Sequence, residues 1–166
     1  FFCNFLDKLA KYRYIQFMSL LSLLDESHIL IGLKAQTKEE VIAEMIDFLY
    51  TSHKITDRTA ALDAVLKREQ SISTGMRDGL ALPHGKTDSV QELVPCIAIS
   101  DHPIDFNSLD GKPCTLFIMT LSPTSKAGPH LQFLAEISSL FKNEAKREAL
   151  KKAQTPEEAL AIFKQN

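Results

Sequence analysis

Residues 79–88 read GLALPHGKTD, and this stretch decides how the rest of the chain is read. Leu80-Ala81-Leu82 is a short apolar run bounded by turn signals, which reads as a brief strand. Pro83 fixes its own φ and keeps Leu82 extended, so His84 follows in a turn at a rigid strand exit. There the imidazole is expected to be displayed and not buried. Gly85 has no side chain to obstruct a reactant or a partner backbone, and Lys86 adds a positive charge. Taken alone, LPHG also suits a histidine with a purely structural role, so its surroundings carry the weight.

Strand and helix patterns alternate outward from this point. Upstream, residues 28–33 read as a strand. Thr37-x-x-Glu40 reads as a capping box before a helix with Val41, Ile42, Met45, Ile46 and Leu49 on one face. Asp57 caps a second helix with Ala61, Leu62, Val65 and Leu66 inward. Downstream, residues 95–100 and 114–122 read as strands, and 101–113 as a loop containing a DGKP turn. Residues 129–142 make a helix with Leu131, Leu134, Ile137, Leu140 and Phe141 apolar, and Thr155-Pro156-Glu157-Glu158 opens a final helix. Strands separated by helices in this way predict an α/β domain whose sheet is covered on both faces.

Composition narrows the function classes. A chain of 166 residues, 45% hydrophobic and 24% charged, suits one globular domain with a useful core. A formal net charge of −2 leaves no basic footprint, so nucleic acid is not an expected partner. Cys3, Cys96 and Cys114 are odd in number and lack CxxC spacing, which points away from a disulfide framework or a zinc knuckle and toward the cytoplasm. Cys96 and Cys114 sit in apolar runs as small buried residues. No cofactor or metal is expected.

Residues 1–17 read as an extension. Phe2, Phe5, Leu6 and Leu9 recur at helical spacing with Lys8, Lys11 and Arg13 elsewhere, the pattern of an amphipathic helix, and Met18 could be a natural initiator. The apolar run 14–24 is interrupted by polar residues and is shorter than the roughly 20 needed to span a bilayer. No small-residue cleavage site follows it, so neither a secretory signal nor membrane insertion is expected.

Arg68-Glu69, Ser73-Thr74-Gly75, GLALPHGKTD, PIDFNSLDGKPC at 103–114 and PHLQFLAEISSL at 129–140 together resemble a known family. It is the enzyme IIA component of the bacterial phosphoenolpyruvate-dependent sugar phosphotransferase system, in its fructose/mannitol (type 2) branch, including the nitrogen-related proteins. The similarity runs from about Leu20 to the C-terminus, leaving 1–17 outside and making 18–166 a single enzyme IIA domain. It implies a three-layer α/β/α sandwich with a mixed β-sheet flanked by helices. It also implies a phosphotransferase component that takes a phosphoryl group from phosphorylated HPr, or its nitrogen-branch counterpart, and passes it to an enzyme IIB. The family's phosphoryl-carrying histidine corresponds to His84, its upstream arginine to Arg68, and its second site histidine to His130. Arg77 departs from the pattern, standing where many members have glycine, and bears on local loop shape.

The chemistry fits the residue types. Phosphoryl transfer needs an in-line nucleophile and groups that tolerate three charged oxygens. A neutral imidazole, with an unperturbed pKa near 6.5, supplies the nucleophile at about pH 7. Arg68 could hold phosphate oxygens in a guanidinium fork, and His130 could donate to them. Backbone amides around Ser73-Thr74-Gly75, or following Gly85, could add to the cradle, although Ser73 and Thr74 equally suit turn roles. Lys86 and Asp88 read as solvated loop residues.

Two other functions compete. A regulatory enzyme IIA of the nitrogen-related branch would bind kinases or transporters according to its phosphorylation state. A hydrolase with His84 as base or metal ligand has little support, since GxSxG and HExxH are absent and His28, His53 and His102 are dispersed strand, helix-end and loop residues.

Overall fold

In the computed structural model, which describes residues 23–125 and 128–165 and only the backbone at 128–130 and 138–141, two long antiparallel strands organise the molecule. These are β4 (Val94–Ile104) and β5 (Cys114–Ser122). The short strand β1 (Ile29–Ile31) pairs in parallel with the outer edge of β4. The other edge of β5 carries β2 (Leu80–Ala81) and β3 (His84–Lys86), both parallel to it. The sheet is therefore mixed.

β5 and the first seven residues of β4 are almost continuously buried, and largely apolar, because both faces of the sheet are covered. Side chains alternate between the faces. Ala81, Cys96, Ala98, Phe117, Met119 and Leu121 join one core, with helices α1 (Lys38–Thr51) and α2 (Arg58–Ser71). Leu80, Leu82, Ile97, Ile99, Leu116 and Ile118 join the other, with α3 (Gly128–Phe141), α4 (Glu144–Lys152) and α5 (Pro156–Lys164). The result is the expected α/β/α sandwich.

Helix starts follow their caps. Thr37 accepts from the Glu40 amide and the Glu40 side chain returns to the Thr37 amide; Val41, Ile42, Met45, Ile46 and Leu49 are then all buried. Asp57 caps α2 through the Ala60 amide, and Thr155 with Pro156 starts α5 as anticipated.

Several expectations need correction. The loop read at 101–113 begins later, because Asp101–Ile104 continue β4 past a register shift. That puts His102 on a strand, where its Nε2 bonds the Ala35 carbonyl at 2.8 Å. The strand read from 28 starts at Ile29; His28 is buried, closing a 3-10 turn, Glu26–His28, onto its cap Asp25. Leu131 is 67% exposed, and Phe133 with Ile137 supplies the buried face of α3 instead. The polar stretch forming α4 gave no expectation at all. The helix anticipated within residues 1–17 lies outside the described residues, as does Cys3. Among the described residues, no helix is long and apolar enough to cross a membrane.

One contact sets how α2 meets the sheet edge. A Cβ at Gly85 would stand 2.9 Å from Val65 Cγ2, 3.0 Å from the Val65 amide nitrogen and 3.1 Å from the Ala64 carbonyl carbon. Helix backbone cannot move aside as a flexible side-chain end can, so only glycine lets α2 approach this closely. Gly85→Ala is expected to destabilise the fold by about 1–3 kcal/mol in urea titration; an unchanged midpoint would show that α2 is not held against β3.

Candidate functional site

His84 lies on the outer edge of the sheet. Leu116 and Thr120 donate their amides to the Gly79 and Pro83 carbonyls, and the Thr87 amide donates to Ser122, so the odd-numbered residues of this edge face β5. Pro83 has no N–H for the ladder, which interrupts the strand, yet pairing resumes in the same register at His84↔Thr120. Leu82 faces away from β5, and its amide donates to the Thr74 carbonyl at 3.0 Å. Its carbonyl, on that same outer side, receives the His84 Nδ1–H at 2.9 Å.

That bond decides the tautomer. A carbonyl only accepts, so Nδ1 carries the proton and Nε2 keeps its lone pair. The arginine agrees, since Arg68 Nε–H can only donate and reaches His84 Nε2 at 3.0 Å. Arg68 is anchored in turn by Nη1 donating to the Ile72 carbonyl at 3.0 Å. The expectation of a displayed histidine in a turn is thus corrected. His84 sits half-buried in β3 with its ring oriented from both sides.

Burial pushes the His84 imidazole below its ordinary pKa of 6.5; the Leu82 bond opposes this, the Arg68 charge adds to it, and the Glu69 carboxylate opposes it. The group is neutral at pH 7. Its contribution to stability is complete above its unfolded value of 6.5 and is lost as pH falls through the lower folded value.

Sequence reasoning paired Arg68 with the site and missed the work of its neighbour. One residue on in the helix, Glu69 turns inward and is only 7% exposed. Its carboxylate accepts from Lys38 Nζ (2.9 Å), the Thr74 amide (2.9 Å) and Thr74 Oγ1 (2.5 Å). Lys38 also donates to Ser73 Oγ at 3.2 Å and lies 5.0 Å from the Phe106 ring centroid. Ser73 Oγ donates to the Phe106 carbonyl at 2.7 Å and accepts from the Gly75 amide at 3.2 Å. The only sequence cue was an acidic residue at an inward helical position, since buried carboxylates are paired.

This network removes three of the donors from the cradle suggested by the sequence. The Thr74 and Gly75 amides are spent on Glu69 and Ser73, and the Thr87 amide on the sheet, so those donors hold the loop and not an anion. Lys86 is exposed as expected, and Asp88 accepts from the Thr124 amide and hydroxyl. The structure brings Arg68 and His84 together. His130 falls in the first turn of α3, and its side chain lies outside the described residues. Cys96 and Cys114 are buried and free. Among the described residues, no group of three His, Cys, Asp or Glu is arranged to hold a metal ion.

The family model described as "Phosphoenolpyruvate-dependent sugar phosphotransferase system, EIIA 2" matches residues 22–166. The chain belongs to this family. It is 39% identical over 128 residues to the fructose-specific EIIA component of Haloferax volcanii, covering 75% of this chain and 83% of that protein. It is 35% identical over 151 residues to the fructose-specific EIIABC component of Bacillus subtilis, covering 90% of this chain but 24% of that much longer protein. Among solved structures, the nitrogen regulatory protein IIA-Ntr of Neisseria meningitidis superposes with a TM-score of 0.79 at 27% identity, over 87% of this chain and 98% of that one. The mixed sheet and its helical layers are therefore those of an enzyme IIA.

The charge arrangement around the ring is open to direct measurement. An NMR titration of His84 should give a midpoint below 6.5, and Arg68→Ala should move it upward by removing a neighbouring positive charge. A midpoint above 6.5, or one that Arg68→Ala leaves in place, would contradict the described electrostatics.

Proposed function

We propose that this enzyme IIA domain, residues 18–166, carries a phosphoryl group on His84, receiving it from phosphorylated HPr or its nitrogen-branch counterpart and delivering it to an enzyme IIB in the cytoplasm. One observation carries the reading: Nδ1 is fixed as donor to the Leu82 carbonyl, while Nε2, beside the Arg68 guanidinium, keeps a lone pair at pH 7. In the forward step that lone pair forms a P–Nε2 bond as the donor's P–N bond breaks, and the departing electron pair returns to the donor's imidazole nitrogen. The proton stays on Nδ1, still donated to the Leu82 carbonyl. Arg68 then turns its N–H groups from Nε2 to the phosphoryl oxygens, still anchored at Ile72, and His130 supplies a second donor. Transfer onward repeats the exchange, with the acceptor's nucleophile attacking phosphorus and the electrons returning to Nε2.

Docking has a surface to use. Ile72 is 72% exposed and Leu109 is 69% exposed; the Leu109 amide bonds the Gly75 and Met76 carbonyls, and Ile72 holds Arg68, so both flank the loop beside His84. Two exposed apolar side chains beside the site suit brief complexes that must release each partner. The name of the Bacillus subtilis relative, EIIABC, supports an enzyme IIB as acceptor.

The nearly complete overlap with a nitrogen regulatory IIA-Ntr chain supports a second reading, in which the phosphate on His84 changes which kinase or transporter the protein binds. One preparation separates the two. Incubation with phosphorylated HPr should give an acid-labile label that passes to enzyme IIB; a label retained by His84→Ala would refute the carrier assignment. Arg68→Ala should slow labelling by roughly tenfold or more. Failure to pass the label, together with phosphate-dependent capture of a kinase or transporter, would favour the regulatory reading.

A further inference from the structure

A cavity of about 410 Å³, lined in part by Leu82, opens between the loop tip at Arg77-Asp78 and the layer of α3 and α4. Its apolar floor includes Leu80 and Leu82, its rim carries the exposed Arg77 and Lys142, and the largely buried Arg147 completes the lining. Asp78 is the only carboxylate among the described lining residues, and it lies 3.7 Å from Arg147, a loose pairing. Arg77 and Lys142 are both exposed and make no ion pair among the described residues. The turn that presents Arg77 is rigid, since Asp78 and Gly79 are both left-handed, at φ 61° and 78°, and the Asp78 amide donates to the Asp110 carboxylate at 3.0 Å. Arg77 and Lys142 over an apolar floor, beside the Arg147–Asp78 pair, match a small organic molecule with two negative charges, and the volume lies at the low end of ligand pockets.

Leu82 joins this cavity to the site. Its side chain forms part of the wall, while its carbonyl receives the His84 Nδ1–H. We propose that the cavity is a regulatory site for a small dianionic metabolite, a dicarboxylate or a phosphate monoester, which acts on His84 through Leu82. The regulatory half rests on His84 being the phosphoryl acceptor; binding itself does not. A ligand that shifts Leu82 alters the carbonyl that sets the ring's tautomer and orientation, so it changes the rate at which Nε2 accepts phosphate.

The test is an NMR titration of the full chain at constant ionic strength, with glutarate and glucose 6-phosphate in separate arms and glucose as the neutral control. Saturable shifts at Leu80, Leu82, Ile137 and Arg147 with at least one dianion, none with glucose, and an accompanying shift of the His84 ring are expected. The arm that responds tells a dicarboxylate from a phosphate ester. Arg77→Ala combined with Lys142→Ala should keep the fold and unliganded phosphoryl acceptance while weakening binding by roughly tenfold or more. No saturable response to either dianion at about 10 mM, or an affinity unchanged in the double variant, overturns the site. Binding that leaves the His84 ring resonances in place overturns the coupling. Because no phosphoryl donor is present, failure here is distinguishable from failure of the carrier reading.

Discussion

The hydrogen bond from His84 Nδ1 to the Leu82 carbonyl is the constraint on which the site depends. It exists because, among the described residues, no named strand pairs the outer side of this edge, which is met only by the bridge between Gly75 and Ala81. The outward Leu82 amide is satisfied by Thr74, and the outward carbonyl is left for the histidine two residues on. An unpaired edge is ordinarily a liability that proteins cover or blunt. Here the imidazole itself satisfies the edge, and in doing so turns its other nitrogen toward Arg68.

Arg68 and Glu69 divide the remaining work by helical geometry. Adjacent residues on a helix point about 100° apart, so one reaches the ring at the surface while the other runs inward to Lys38 and Thr74. The inward carboxylate ties α1, α2 and the 73–75 loop together, and that loop supplies the Thr74 carbonyl that holds Leu82. Burial of an ion pair of this kind adds little net stability, but loss of one partner leaves an uncompensated charge. Its value is positional: it fixes the loop against which the edge strand is built. Gly85 acts in the same sense, letting α2 come close enough for Arg68 to reach Nε2.

Much of this was legible in the sequence where a local signal existed. The caps at Thr37, Asp57 and Thr155 placed three helix starts, and apolar runs placed both long strands, because caps and apolar runs are written in neighbouring residues. Arg68 and His84 were matched by family resemblance, and their contact then followed from the fold. His-Gly-Lys carries no β-propensity, so β3 was read as a turn; it is a strand because the register with β5 persists across Pro83. The polar α4 has only Leu150 buried, too little apolar content to announce a helix. The amides of Thr74 and Gly75 looked available to an anion because their partners, a buried glutamate and a serine hydroxyl, are chosen by tertiary packing.

If the Leu82 carbonyl fixes the ring as described, the nitrogen that takes the phosphoryl group is already determined. The most direct measurement is phosphorus–nitrogen coupling in the phosphorylated protein carrying ¹⁵N-labelled histidine. Coupling to Nε2 of His84, with Nδ1 still protonated, is the predicted result. A phosphoryl group on Nδ1, where the Leu82 bond would have to break, would contradict the account.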